Sequence, residues 1–239
     1  MLATMLVGAL ALAANGVNAG TSAVPAAKVS GGDDEVVVFQ VPQGVIVAKF
    51  FNDTPKTVAN FKDLVKKGFY NGTTFHRIVP GFVIQGGDPN SKDNDLSNDG
   101  MGGEEVPAIP GEFSAAHKHV RGTLSMARKA DPNSATCQFF ICLAPTPSLD
   151  GKYAAFGQVI QGQDVVDKIA ELANDPSVAK TAMGANPGKK AVMQKVTLES
   201  MSKWNKPAAA VVKTDAKPEA KAEEKPATPA PAAQDTTHK

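Results

Sequence analysis

The sequence predicts a mainly β protein, a closed or nearly closed β-barrel with two helices capping its ends. Runs rich in β-branched and aromatic residues recur from Val36 to Met201. Only two stretches space their apolar residues at the helical period. Turn-forming Gly, Pro and Asn residues separate the strand-like runs.

The globular part opens at Glu35. Val36–Phe39 and Val45–Phe51 flank a Pro42-Gln43-Gly44 turn and read as a hairpin. Thr54 then supplies a helix N-cap, with Pro55 at the first helical position. Val58, Phe61 and Val65 form one apolar helix face, and Gly68 ends the helix. Two short strand-like pieces flank Pro80-Gly81 within residues 75–88. Residues 88–112 form a long polar segment, read as a solvated loop. Its Asp88, Asp93, Asp95 and Asp99 do not follow the ligand spacing of a helix–loop–helix calcium site. Strand-like runs return at Gly122–Ala127, Gln138–Ile141 and Ala154–Ile160, the first two joined by the turn-rich Lys129–Ala135. Val165, Ile169 and Leu172 mark the second amphipathic helix, and Ala191–Met201 reads as a closing strand.

Outside residues 35–204 the composition changes. Met1–Ala14 is apolar apart from Thr4, too short to span a bilayer, and the small residues up to Ala19 suit a cleavage point. Residues 1–19 therefore read as a signal peptide despite lacking a positive start, and export to the periplasm or medium is expected. A cytoplasmic location is the alternative. Residues 20–34 read as a linker. Residues 205–239, rich in Ala, Lys, Pro and Glu and without aromatic residues after the domain's last tryptophan, read as a disordered tail.

A net charge of +1 and a pI near 7.7 give no electrostatic footprint for nucleic acid or a membrane surface. The four histidines form no metal-spaced set with the cysteines, so no metal or cofactor is expected, and His117 and His119 read as a solvated pair. Cys137 and Cys142, if joined by extended chain, stand roughly 16 Å apart. A disulfide needs Cα atoms within about 7 Å. They read as two separate buried thiols.

Within residues 75–88 the run places Arg77, Phe82 and Gln85 among strand-like apolar residues, where all three side chains can face one cleft. Apolar strands rarely carry arginine without a role for it. The run Phe75–Asp88 closely resembles the signature of the cyclophilin-type peptidyl-prolyl isomerases. Gly122–Ala127, Gln138–Cys142 and Leu149–Gly157 agree with that family in order and spacing. The resemblance covers residues 35 to 203 and implies an eight-stranded antiparallel barrel with two capping helices. It implies that Arg77 is catalytic, that Phe82, Phe140 and Leu149 wall a proline pocket, and that Met126 lies beside it. It further implies that Gln85 and Gln138 fix the substrate backbone and that Ala127 and Arg128 meet the peptide. Phe139, alternating with Phe140, should face the core, and His76 reads as structural.

The activity so implied is rotation about X–Pro bonds in unfolded or exposed segments, assisting folding. That rotation faces a barrier of about 18–20 kcal/mol and takes tens to hundreds of seconds unaided. No bond breaks, so neither nucleophile nor metal is needed. A guanidinium can donate to the lone pair that the twisted amide nitrogen regains. Two positions depart from the family pattern, and the long Asp88–Glu112 loop and the Ser148-Leu149 pair look more like bacterial members. Ser148 stands where tryptophan is common, which removes an indole donor and implies weak cyclosporin binding. Tyr153 stands where histidine is common at the pocket rim.

Overall fold

A computed structural model describes residues 34–204. The expected signal segment, nearly all of the linker and the tail lie outside the described residues. The elements in order are β1 (Glu35–Val41), β2 (Gly44–Phe50), α1 (Pro55–Lys66), β3 (Arg77–Val79), β4 (Val83–Gly86), β5 (Thr123–Met126), β6 (Phe139–Cys142), β7 (Ala155–Gln161), α2 (Gln163–Glu171), β8 (Ala179–Thr181), β9 (Gly184–Asn186) and β10 (Lys195–Ser200).

All eight strand-like runs of the sequence are strands, and both helices are present. The closed eight-stranded barrel, however, needs correction. The strands form one ten-stranded antiparallel sheet in the order β10-β1-β2-β7-β5-β6-β4-β3-β9-β8, whose ladder is open at β10 and β8. Two physical causes account for the difference. The short hairpin β8–β9 adds itself to the edge of β3 through the single pair Ile78–Ala185. Across the gap, the segments before β3 and before β10 meet through one isolated bridge, Thr74–Val192, rather than a strand pair.

The register of four adjacent strands organises the molecule. On one face Ile78, Ile84, Ile141 and Leu124 stand opposite one another across β3, β4, β6 and β5, all fully buried. One residue along, Arg77, Gln85, Phe140 and Ser125 form the neighbouring lateral row. Side chains alternate faces along a strand, so the second row points away from the core that the first row builds.

Helix α1 covers the core side. Its Phe61 ring meets Tyr70 and Phe156 at 4.9 Å and Phe139 at 5.4 Å between centroids, the last edge-to-face. The helix ends as Gly68 implies, with φ +67° and with Gly68 and Phe69 amides donating back to Val65 and Leu64. Its start differs from expectation. Thr54 occupies the N-cap position, but its side chain makes no capping bond. Glu112, from the far end of the long loop, accepts instead from the Lys56 amide at 3.1 Å and from the Thr57 amide and hydroxyl at 2.8 Å. A carboxylate there satisfies orphan amides and complements the helix dipole.

Three further expectations are corrected or completed. The loop 88–112 is not simply solvated: Asp88 is fully buried and accepts from the amides of Asn90, Gly100 and Gly102. These bonds fold the start of the loop back onto Gly100 and Gly102, and Ser91, Gly103 and Val106 are buried with Asp88. His117 and His119 are not a solvated pair. His117 stacks on Phe51 with centroids 3.5 Å apart, and His119 is buried. Cys137 and Cys142 are free, separate and buried, and burial pushes both thiols up to about 11.

The Glu112 cap generates a test. Glu112→Ala removes the acceptor for two helix amides and one hydroxyl, which should cost on the order of 1–2 kcal/mol. Urea unfolding should show a lower midpoint with an unchanged slope. An unchanged midpoint would mean that the cap contributes nothing.

Candidate active site

Arg77, Gln85 and Phe140 of the second row floor a cavity of about 640 Å³, a volume typical of peptide and small-molecule sites. Every site residue named from the sequence lines it, with one exception. Met126 is almost fully buried and belongs to the core cluster, opposite Phe139. Alternation explains the correction: on β5 it is Ser125 that shares the face of Phe140, so Met126 points the other way. Val83 takes the place that Met126 does not fill, packing with Phe140, Phe82 and Leu149. It follows Phe82 in an apolar run, and the pairing of Val83 with Cys142 identifies its face.

The polar half of the site is a chain of hydrogen bonds. Arg77 Nε donates to the Met183 carbonyl at 2.6 Å, and its Nη1 donates to Gln85 Oε1 at 3.1 Å. Gln85 Nε2 donates to Gln138 Oε1 at 3.0 Å. Gln138 Nε2 in turn donates to the carbonyls of Gly100 at 3.1 Å and Gly102 at 3.0 Å. Among the described residues, no protein acceptor is paired with Arg77 Nη2. Burial lowers the guanidinium's pKa, with Tyr153 opposing the shift; arginine nonetheless stays protonated.

The apolar half is built around Phe140. Tyr153 meets it edge-on at 5.8 Å, and His119 stacks near its other side at 6.1 Å. His119 is fixed from both ends: Nδ1 lies 2.9 Å from Asp150 Oδ1, and Nε2 lies 2.9 Å from Ser125 Oγ. The bonds from the His119 backbone and ring hold the Asp150 carboxyl below the usual carboxylate range. Asp150 directly follows Leu149, so this array also anchors the wall of the pocket. Arg128 sits over the Tyr153 ring at 4.7 Å while its guanidinium donates to the carbonyls of Lys152, Lys129 and Ala130. Its side chain thus props the rim. Sequence reasoning missed His119, Val83, Met183 and the segment 100–107. For Met183 and that segment no local apolar pattern pointed to the site.

An apolar pocket beside hydrogen-bonding amides and a preset guanidinium, on an antiparallel sheet, defines a peptide-binding site. Comparison with known proteins narrows the class. The family described as cyclophilin type peptidyl-prolyl cis-trans isomerase/CLD matches residues 36–201. A probable peptidyl-prolyl cis-trans isomerase of Brucella abortus is 39% identical over 175 residues, covering 71% of this chain and 85% of its own. The isomerase ppi1 of Schizosaccharomyces pombe is 41% identical over 145 residues, covering 59% of this chain and 88% of its own. A solved cyclophilin type isomerase of Cryptosporidium parvum superposes with a TM-score of 0.59 at 28% identity, over 70% of this chain and 98% of that one. The chain belongs to the cyclophilin-type peptidyl-prolyl cis-trans isomerases, and it is an isomerase of X–Pro peptide bonds.

His76, adjacent to Arg77, lies outside the chemistry. It is buried, and among the described residues neither ring nitrogen makes a hydrogen bond of good geometry, though the Thr74 backbone lies close enough to oppose part of the shift. Burial lowers its pKa from 6.5 to about 4, opposed in part by the charge of Asp88. The unfolded imidazole therefore takes a proton below about pH 6.5, whereas the folded one stays neutral until about pH 4. Stability contributed by this site is present above that window and declines as pH falls through it, by roughly 3 kcal/mol in all. Denaturation curves between pH 7 and pH 4 should show a shallower decline for His76→Leu than for the native chain. Parallel declines would refute the assignment.

Proposed function

We propose that Arg77 accelerates X–Pro rotation by donating from Nη2, which has no acceptor among the described residues, to the amide nitrogen as that nitrogen turns pyramidal. The observation that carries this reading is the placement of the guanidinium. Met183 and Gln85 orient it from one side, and the apolar walls of Phe82, Val83, Phe140 and Leu149 share its cavity. A proline ring seated against those walls brings its ring nitrogen toward Arg77. Planar amides offer that nitrogen no lone pair, so the bond forms only as the C–N bond twists. It therefore stabilises the transition state more than either ground state. Gln85 and Gln138 lie on the polar side, where they would hold the peptide backbone while the other part turns.

The substrates on this reading are proline-containing segments of unfolded or exposed polypeptide, and the biological outcome is assisted folding. A crystal structure of the Cryptosporidium parvum relative was obtained in the presence of the dipeptide Ala-Pro, which supports a site scaled to proline and the residue before it.

The decisive measurement is exchange kinetics on an Ala-Xaa-Pro-Phe peptide. Arg77→Ala should lower kcat/KM by about 10²–10³-fold, with peptide binding largely kept. Equal turnover by the two proteins would sink the assignment. Ser148 is exposed and supplies no indole donor toward the pocket, so cyclosporin should bind weakly. Calorimetric titration returning a submicromolar Kd would contradict this.

A further inference from the structure

The tip of the hairpin β8–β9 is the part of the polar chain that meets Arg77 directly from outside the four central strands. We infer that this hairpin is a positioning element for the catalytic guanidinium: the Met183 carbonyl, fixed by the Thr181 side chain, sets the aim of Arg77. The inference rests on the reading of Arg77 given above and names what holds it.

The geometry is specific. The hairpin turns through Ala182 and Met183, between the paired residues Thr181 and Gly184. Thr181 Oγ1 donates to the Gly184 carbonyl at 2.8 Å and accepts from the Met183 amide at 3.2 Å. One hydroxyl thus spans the turn and holds the peptide units immediately before and after the one that carries the Met183 carbonyl. The carbonyl between them accepts from Arg77 Nε at 2.6 Å. Gly184 has φ +140°, and a Cβ there would stand 2.6 Å from the Ile78 carbonyl. Only glycine lets the hairpin approach β3 this closely.

The hairpin is tied at its other end as well. Asn186 Nδ2 donates to Asp99 Oδ2 at 2.8 Å, and the neighbouring Gly100 carbonyl receives Gln138. The bonds therefore form a circuit: hairpin, Arg77, Gln85, Gln138, loop, and back to the hairpin. Apart from this circuit the hairpin is held by few contacts: β8 is exposed, β9 makes one pair with β3, Ala185 is buried in the core, and Lys180 Nζ donates to the Ala173 carbonyl. A side chain held by so small an element depends on the internal bonds of that element. Loss of the Thr181 hydroxyl would leave the Met183 carbonyl free to swing, and Arg77 with it, while the proline pocket is untouched.

The test uses Thr181→Val, which keeps the shape and removes the hydroxyl, and Thr181→Ser, which restores it. Thr181→Val should lower kcat by about ten-fold, because small misplacements of a catalytic group cost one to two orders of magnitude. KM should stay within about two-fold, since the positioned bond forms only in the transition state, and Thr181→Ser should recover most of the loss. In an Arg77→Ala background the same change should have no further effect. The Arg77 Nε–H resonance should shift in Thr181→Val and return in Thr181→Ser. If Arg77→Ala lowers turnover and Thr181→Val does not, the positioning role is wrong and the catalytic reading stands. An equal loss in both backgrounds also overturns it. If Arg77→Ala itself costs nothing, the catalytic reading fails, and the positioning role with it.

Discussion

The site depends on the register of β3, β4, β6 and β5. A slip of one residue would exchange the row Arg77, Gln85, Phe140 and Ser125 for the row Ile78, Ile84, Ile141 and Leu124. It would drive a guanidinium and an amide into the core and leave aliphatic side chains in the groove. The apolar row holds the register. Each of its fully buried side chains contributes about 2 kcal/mol relative to exposure, so the row as a whole rivals the net stability of an ordinary domain. The isoleucines thus place the polar residues, although they take no part in the chemistry.

Phe139 and Phe140 divide the labour of one strand. Phe139 belongs to the aromatic cluster around Phe61, with Phe39, Tyr70 and Phe75 within 6.0 Å of its ring. Such a cluster fixes β6 against α1, β1 and the segment after α1 through several ring contacts rather than one. Phe140, facing the other way, is steadied by Tyr153 and by His119. The buried bonds of His119 to Asp150 and Ser125 then tie the floor of the pocket to the Leu149 wall. A floor fixed from beneath by the core and from the side by a satisfied polar array has little freedom to widen when a proline ring enters.

Much of this was legible in the sequence because it obeys short-range rules. The β1–β2 hairpin, both helices and the Gly68 stop follow from alternation, helical period and turn chemistry. Arg77, Gln85, Gln138 and Phe140 were legible through ordered motifs. What stayed hidden has a common cause. The β8–β9 strands read Ala-Lys-Thr and Gly-Ala-Asn, without the branched or aromatic residues that mark a strand, and they pair because β3 offers an edge. Glu112 caps α1 from 55 residues away, so no local pattern announces it, while Thr54 carries the local pattern and does not act on it. His119 sits in a stretch as polar as any solvated loop, and it is buried because Asp150 and Ser125 supply its partners. Met126 was misplaced by its neighbourhood in a motif, although period-two alternation from Ser125 assigns it to the core.

The choice of acceptors around Arg77 completes the physical picture. None of the ion pairs among the described residues includes it; its partners are a backbone carbonyl and a side-chain amide. A carboxylate would orient the guanidinium as firmly, but it would also offset the charge and compete for the donor. In the proposed mechanism the acceptor, a twisted amide nitrogen, is weak and has a single lone pair, so a bond to it would gain most from a donor that keeps its full charge. Partial burial acts in the same direction, since a lower local dielectric strengthens the charge-assisted bond. On the proposed mechanism, the burial that lowers the pKa of Arg77 also strengthens the bond it would donate. Neutral acceptors offset part of the desolvation without spending the charge. On this argument the carbonyl of an exposed hairpin is a better partner for Arg77 than any acidic side chain would be.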